Sequence, residues 1–281
     1  MKRLIVSADD FGLTHSINEG ILRAVKEGIV TNINLIPTGL VADDAISIIK
    51  YDRIEEIGVH LALTETRATT NPRLIASLAD EDGLLPASRV EFVKKFMSGR
   101  IDISHIRREL NSQMDKAAHS GARITSLSTH EHLHMLPEIF EIVAGMARER
   151  GIRFIRMLKK EPILPPLSLK KIFRLSVVSY FTPKTEKIFT RSGLRATDNF
   201  MGLLNSGDIE ENTLLAMIAN IREGTTELVT HPGFLDPEVL DRYRFHMHCE
   251  EELYALTSPK VKKAIANRGI ALSKYSSLEA A

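Results

Sequence analysis

Leu4-Ile5-Val6-Ser7-Ala8-Asp9-Asp10-Phe11-Gly12 is the stretch on which the reading of the fold turns. Leu4, Ile5 and Val6 make the short apolar run that a strand covered on both faces requires. Two adjacent carboxylates follow it, then Phe-Gly. Side chains alternate along a strand, so Asp9 and Asp10 are expected to aim in different directions as it ends. That arrangement suits two jobs at one place, a carboxylate that binds a cation and one that handles a proton. A polar turn punctuated by Gly12 is the plainer alternative.

Working outward, strand-like and helix-like segments alternate along the chain. Ser16 reads as the cap of a helix carrying Ile17, Ile21, Ala24 and Val25, which Gly28 ends. Strands are expected at Thr31–Ile36, Ile57–Leu63, Ile124–Ser128, Phe154–Met157, Glu227–Thr230 and Ala271–Ser273. Between them, Ala45, Ile48 and Ile49 mark one helix, and Ile106, Leu110, Met114 and Ala117 a clearer one. Pro137 opens another through Met146, and further helices are expected at Leu214–Ile221 and Val261–Ala266. Residues 64–100 carry only a weak helical pattern near Val90–Phe96. Repeated strand–helix units without a linker predict a single α/β domain over 1–281 with a parallel sheet, most simply a barrel.

Composition narrows the function classes. Lys and Arg number 37 against 36 Asp and Glu, a net charge of +1 that gives no push toward nucleic acid. A single cysteine, Cys249, excludes an internal disulfide framework and fits a reducing compartment. No signal-peptide core precedes Asp9, and no apolar run approaches the ~20 residues of a membrane span. A cytoplasmic enzyme or binding protein is the expectation.

The polar chemistry falls at expected strand ends. Asp9 and Asp10 follow the first strand, His60 lies near the end of the third, His130 follows the fourth, Arg156 ends the fifth and His231 follows Glu227–Thr230. Parallel α/β folds bring such ends to one face, where sites form. His130, Glu131 and His134 also fit the H-E-x-x-H pattern, but that pattern needs a helix, and here a strand precedes it and Pro137 starts the next helix. In extended chain His130, His132 and His134 would line one side. A second cluster, His246, His248 and Cys249, has the donor types to bind metal as well, but it lacks a strand-end setting and reads as solvated or at the substrate's edge.

With these residues assembled, the chain resembles the YdjC-like carbohydrate deacetylases, whose best-known members act on chitooligosaccharides. The motifs that carry the likeness are Ala8-Asp9-Asp10-Phe11-Gly12, Gly58-Val59-His60-Leu61, His130 through Pro137, Thr197-Asp198-Asn199-Phe200 and Thr230-His231-Pro232-Gly233. The resemblance implies an irregular, incomplete TIM-like barrel related to the NodB-type polysaccharide deacetylases. It implies one divalent ion on Asp10, His60 and His130, with Asp9 as base and His231 as acid. Members usually carry His or Gln where this chain has Glu131, so the likeness does not divide the labour between His132 and His134, which are expected at the substrate or behind the ligands. Arg156 would hold Asp9 ionised, as an Arg does in the related deacetylases; a plain salt bridge is the alternative. Asp198 is a candidate for sugar hydroxyls, with loop capping as its default. Imidazole ligands favour Zn²⁺ over Mg²⁺, whereas the family is usually described with Mg²⁺.

The expected reaction is removal of an N-acetyl group from an N-acetylglucosamine-containing oligosaccharide or glycolipid. Another metal-dependent hydrolase, a peptidase or phosphoesterase, is one alternative, and a non-catalytic sugar-binding protein is the other. Residues 159–191 carry eight basic residues against Glu161 and Glu186, interleaved with Leu, Ile, Val and aromatic side chains. Such a segment resembles an interfacial membrane element, and some relatives are associated with hopanoid lipid biosynthesis. A lid or a homodimer contact is the alternative to peripheral contact with the inner membrane face.

Overall fold

The computed structural model describes residues 1–159, 161–164 and 182–279. Most of the basic apolar insert, 165–181, therefore lies outside the described residues, and its expected membrane, lid or dimer role with it. No helix among the described residues is long and apolar enough to cross a membrane.

An 8-stranded parallel sheet curls into an irregular TIM-like α/β barrel. The strands are β1 (Lys2–Phe11), β2 (Asn32–Leu35), β3 (Glu56–Leu61), β4 (Arg123–Thr129), β5 (Phe154–Ile155), β6 (Asn199–Met201), β7 (Gly224–Thr230) and β8 (Ala271–Leu272). Their order is β5-β4-β3-β2-β1-β7-β6. One edge of β1 is shared, with β8 against Arg3 and Leu4 and β2 against Ser7 onward. The outer strands are tied by Arg195, whose N–H donates to Arg153 O (2.8 Å) and whose carbonyl accepts from Ile155 N (3.0 Å) just before the chain enters β6. Tyr275 and Leu278 pack on Ile5 and Phe154, filling the barrel interior on the amino-terminal side.

The helices are α1 (His15–Glu27), α2 (Ala42–Tyr51), α3 (Arg89–Met97), α4 (Ile103–Ala118), α5 (Pro137–Glu149), α6 (182–192), α7 (Glu211–Ala219), α8 (Pro237–Arg242), α9 (Cys249–Thr257) and α10 (Pro259–Asn267). Thr14, rather than Ser16, caps α1 by accepting from Ile17 N (3.2 Å). The apolar stripe of α4, Ile106, Leu110, Met114 and Ala117, is fully buried. Each such large side chain contributes ~1.5–3 kcal/mol of burial energy. On the same helix, buried Glu109 accepts from Thr69 N and Thr70 N (both 2.9 Å), while Gln113 bonds Ala62 N and O (2.9 and 2.7 Å). Those polar anchors, with buried Ile75, Leu78 and Leu85 at no regular spacing, order the loop after β3, which is why 64–100 reads poorly as sequence.

The end of β1 departs from simple alternation. Ala8 pairs with Ile33 but Phe11 with Leu35, so β1 carries one extra residue in a bulge. Asp10 sits at φ 70, in the left-handed region. The bulge re-aims the chain, and both Asp9 and Asp10 are buried and turn toward His60. They reach it from opposite sides, Asp9 toward Nδ1 with Arg156 and Asn34 behind it and Asp10 toward Nε2 beside His130 and His246.

Candidate active site

Asp9 is locked in place by neighbours from two strands, β5 and β2. Arg156, at the end of β5, donates Nη1 to its Oδ2 (2.7 Å) and Nη2 to its Oδ1 (2.9 Å). Asn34 of β2 donates Nδ2 to Oδ1 (2.6 Å). The contacts continue into a closed ring inside the barrel: Arg156 to Glu227 Oε1 (2.9 Å), Ser7 Oγ to Glu227 Oε1 (2.9 Å), Asn32 Nδ2 to Ser7 Oγ (3.1 Å) and Asn32 Nδ2 to Asn34 Oδ1 (2.9 Å). Burial alone would raise the Asp9 carboxyl, but Arg156 and then His60 outweigh it and hold it well below the usual carboxylate range. Gly58 of β3 makes the ring fit, because a side chain there would overlap Asn34 Oδ1 and Ser126 Oγ.

Asp10 is treated differently. Both its oxygens are buried and neither is in a hydrogen bond of regular geometry, although imidazoles surround them. Oδ1 lies 3.3 Å from His130 Nδ1 and 3.7 Å from His60 Nε2, and Oδ2 lies 3.1 Å from His246 Nε2. One donor atom each from Asp10, His60 and His130 falls within 4.8 Å of the others. His60 Nδ1 is engaged by Ser128 Oγ (2.7 Å), which leaves Nε2 to face Asp10, and burial holds the ring neutral, its pKa lowered to about 4. His130 Nε2 meets Glu65 Oε2 at 3.0 Å. Burial opposes a charge on His130, but Asp10 and Glu65 prevail and raise its pKa well above the ordinary value. Backing of this kind orients imidazole ligands. Charge points the same way: Asp9, Asp10 and Glu227 are three buried carboxylates and Arg156 is one guanidinium among them. A buried carboxylate faced only by imidazoles, with one donor atom from each of three side chains close together, is what a divalent cation would satisfy, so these residues fit such an ion.

The other expected site residues divide. His231, after β7, lines the same cleft, its ring edge-on to Phe245 with centroids 4.8 Å apart. Burial lowers its pKa to about 3, with Asp9 and Asp10 only partly offsetting. His132 also lines the cleft, and burial, then Arg156, keep it neutral. His134 does not reach the cleft. Its Nε2–H donates to Arg156 O (2.9 Å) and its Nδ1 accepts from Thr129 Oγ1 (2.8 Å), which braces the ends of β4 and β5 together. The segment His130–Met135 is neither extended nor α-helical; it is an irregular 3₁₀ turn in which Glu131 and His132 take φ of 53 and 56. Steric kinking there replaces the expected single-sided array of three histidines. Asp198 is corrected as well. Its carboxylate accepts from Thr225 N (2.7 Å) at the start of β7, the opposite end of that strand from His231.

Sequence reasoning missed several members. His246 is buried against Asp10 rather than solvated, carried in by a short turn, Arg244–His246, between α8 and α9. His248 of the same cluster is exposed and pairs with Glu251, and Cys249 is buried. Glu65, Arg89, Glu131, Leu203, Ser206 and Phe245 complete the cleft. Of the positive-φ residues other than glycine among the described residues, Asp10, Glu65, Glu131 and His132 all lie at this site and only Arg53 does not. Strain of that kind concentrates where function needs it.

Fold and site together define an α/β-barrel protein with a carboxylate–imidazole centre at the carboxyl ends of its strands. The family model for YdjC-like proteins matches residues 3–267, and the chain belongs to that family. It is 27% identical over 279 residues to a carbohydrate deacetylase of Thermoanaerobacter pseudethanolicus, covering 99% of this chain and 100% of the relative. It is 28% identical over 296 residues to a carbohydrate deacetylase of Homo sapiens, covering 99% and 91%. Among solved structures, a protein of Enterococcus faecalis V583 described as a cellobiose-phosphate cleavage protein superposes with a TM-score of 0.80 at 25% identity, covering 99% and 98%.

Proposed function

We propose that this chain is a metal-dependent carbohydrate deacetylase that hydrolyses the N-acetyl group of an N-acetylglucosamine-type unit. The observation that carries the reading is the pairing of a locked carboxylate, Asp9, with an open one, Asp10, on either side of His60 in one cleft. Full-length relatives that are carbohydrate deacetylases support the same chemistry.

Asp10, His60 and His130 would hold the ion, and bound there it would polarise the amide carbonyl and acidify a water. Asp9 is the group placed to take that water's proton. Arg156 and Asn34 keep it ionised and fix its direction. A carboxylate held so low is a weak base, matched only to a water that is itself made acidic. His231 is neutral at rest; as negative charge develops on the substrate its ring takes up one proton from solvent in the cleft and passes it to the departing amine. Phe245 packs edge-on against that ring and sets its plane. Mixed carboxylate and imidazole donors favour Zn²⁺ over Mg²⁺.

The experiment is acetate release from N-acetylated oligosaccharides and glycolipids, beside peptide and phosphoester panels, with metal-stripped and Zn²⁺- or Mg²⁺-reloaded protein. Metal-dependent acetate release from an N-acetylglucosamine substrate is the expected result. Turnover of peptides or phosphoesters alone, or full activity without metal, overturns the reading. Preference for the glycolipid would support a membrane-facing role for 159–191, which its basic and apolar sequence suggests; preference for free oligosaccharides would count against it.

A further inference from the structure

We propose that His246 is a positioning residue for the cation site, donating from Nε2 to the Oδ2 of Asp10 and so fixing the carboxylate rotation at which Oδ1 faces His60 and His130. The inference rests on the reading that Asp10, His60 and His130 hold a divalent ion. His246 is 2% exposed, and its Nε2 lies 3.1 Å from Asp10 Oδ2. The other oxygen, Oδ1, is the one directed at His130 (3.3 Å) and His60 (3.7 Å). Asp10 needs such a hold more than an ordinary strand residue does. Its backbone is at φ 70 within a bulge, so regular pleating does not set its side-chain direction.

The tautomer follows from the surroundings. His246 Nδ1 is buried with no hydrogen-bond partner, whereas Nε2 faces a carboxylate, so the ring proton belongs on Nε2. With its lone pair at Nδ1, pointing away, the ring acts as a donor to Asp10 and not as a further ligand. The turn that delivers the ring is anchored at both ends. His246 N donates to Tyr243 O (2.8 Å), and Cys249 O accepts from Gly233 N (3.2 Å), two residues beyond His231. Glu252 of α9 in turn accepts from His231 N (2.7 Å). One segment thus supports both the outer face of Asp10 and the His231 loop.

The test is Zn²⁺ affinity of the full chain, measured by competition with a chromophoric chelator, for wild type, His246→Ala and His246→Gln, with visible spectra of the Co²⁺-loaded proteins. His246→Ala should weaken binding by ~10–100-fold, the usual effect of losing a partner behind a ligand. His246→Gln, whose amide can still donate, should recover part of that loss and keep the wild-type Co²⁺ bands. If His246→Ala fails to fold, His246→Asn takes its place, since its shorter amide falls short of Asp10. Unchanged affinity in a folded Ala or Asn variant overturns the proposal. Co²⁺ bands shifted in His246→Gln overturn it too, by making the ring a direct ligand. A wild-type chain that binds no Zn²⁺ overturns the cation reading itself, and this proposal with it.

Discussion

Asp9 and Asp10 are neighbours in sequence and opposites in structure. Asp9 accepts three hydrogen bonds from Arg156 and Asn34, which leaves one lone pair on Oδ2, and it sits inside a ring that closes through Glu227, Ser7 and Asn32. Asp10, equally buried, accepts no hydrogen bond of regular geometry and is faced only by the imidazoles of His60, His130 and His246. A buried carboxylate without partners costs several kcal/mol, so the fold retains one only where something else repays it. The contrast separates a carboxylate whose direction and charge are fixed from one left open to a cation.

The sharpest way to break that contrast is to neutralise each in turn. Asp10→Asn should abolish stoichiometric Zn²⁺ binding and activity together. Asp9→Asn should retain the ion yet lose turnover by a factor of about 10² or more, the scale of a positioned base. Equilibrium dialysis and acetate release read the two effects separately. Equal metal loss in both variants would erase the distinction.

The next effect is on the ring itself. Arg156→Met leaves Asp9 and Glu227 buried and unpaired, and breaking such a pair costs ~3–5 kcal/mol. Urea unfolding near neutral pH should show it, while Arg156→Lys restores the charge but not the two-pronged contact and recovers only part. A Met variant as stable as wild type would mean that the guanidinium does not neutralise those carboxylates.

How much of this was legible depended on where each side chain sits. The barrel could be read because strand-like segments at Leu4–Val6, Ile57–Leu63 and Ile124–Ser128 lead into charged or imidazole side chains, and a parallel sheet collects those ends. The inward polar ring left a fainter trace: Asn32 and Asn34 two apart on one strand, and Glu227 inside an apolar one. Those are readable as one polar face at period two. His246 stood out only as one of a His-rich cluster, and its place was not legible, because it comes from a turn between two short helices and meets Asp10 only through tertiary packing. The bulge at Asp10 is likewise invisible, since no glycine marks it, and β6 at Asn199–Met201 is too short to show a period. The misplacement of Asp198 followed from treating a motif residue as a site residue, when its carboxylate serves the backbone of β7.

A smaller effect tests how the ring is seated. Gly58→Ala should push Asn34 aside, because the new methyl overlaps Oδ1 of its amide. Losing the Asn34 contact to Asp9 should lower kcat by roughly 10-fold, equivalent to ~1.4 kcal/mol, with metal affinity little changed. Asn34→Ala should do the same. A fall in metal affinity instead would place the disturbance at Asp10.

The smallest expected effect concerns pH and the brace under Arg156. His134 is fully buried, its ring held between Thr129 Oγ1 and Arg156 O, and burial first, then Arg156, lower its pKa to about 3 from 6.5. Below pH 6.5 the unfolded chain protonates this ring while the folded chain does not, so the unfolded state binds more protons. Stability contributed by the neutral ring is therefore present above pH 6.5 and is lost as pH falls toward about 3. Each such group adds a slope of up to ~1.4 kcal/mol per pH unit within that window. His134→Gln keeps an amide donor for Arg156 O but cannot titrate. In metal-free protein, urea unfolding from pH 7 to pH 4 should show a modest loss of ~1 kcal/mol at pH 7 and a visibly shallower decline on acidification. His60 and His231, also held neutral by burial, keep a residual slope in the variant. A decline as steep as wild type would mean that His134 is protonated without cost, and that the carbonyl of Arg156 is not held by a neutral ring.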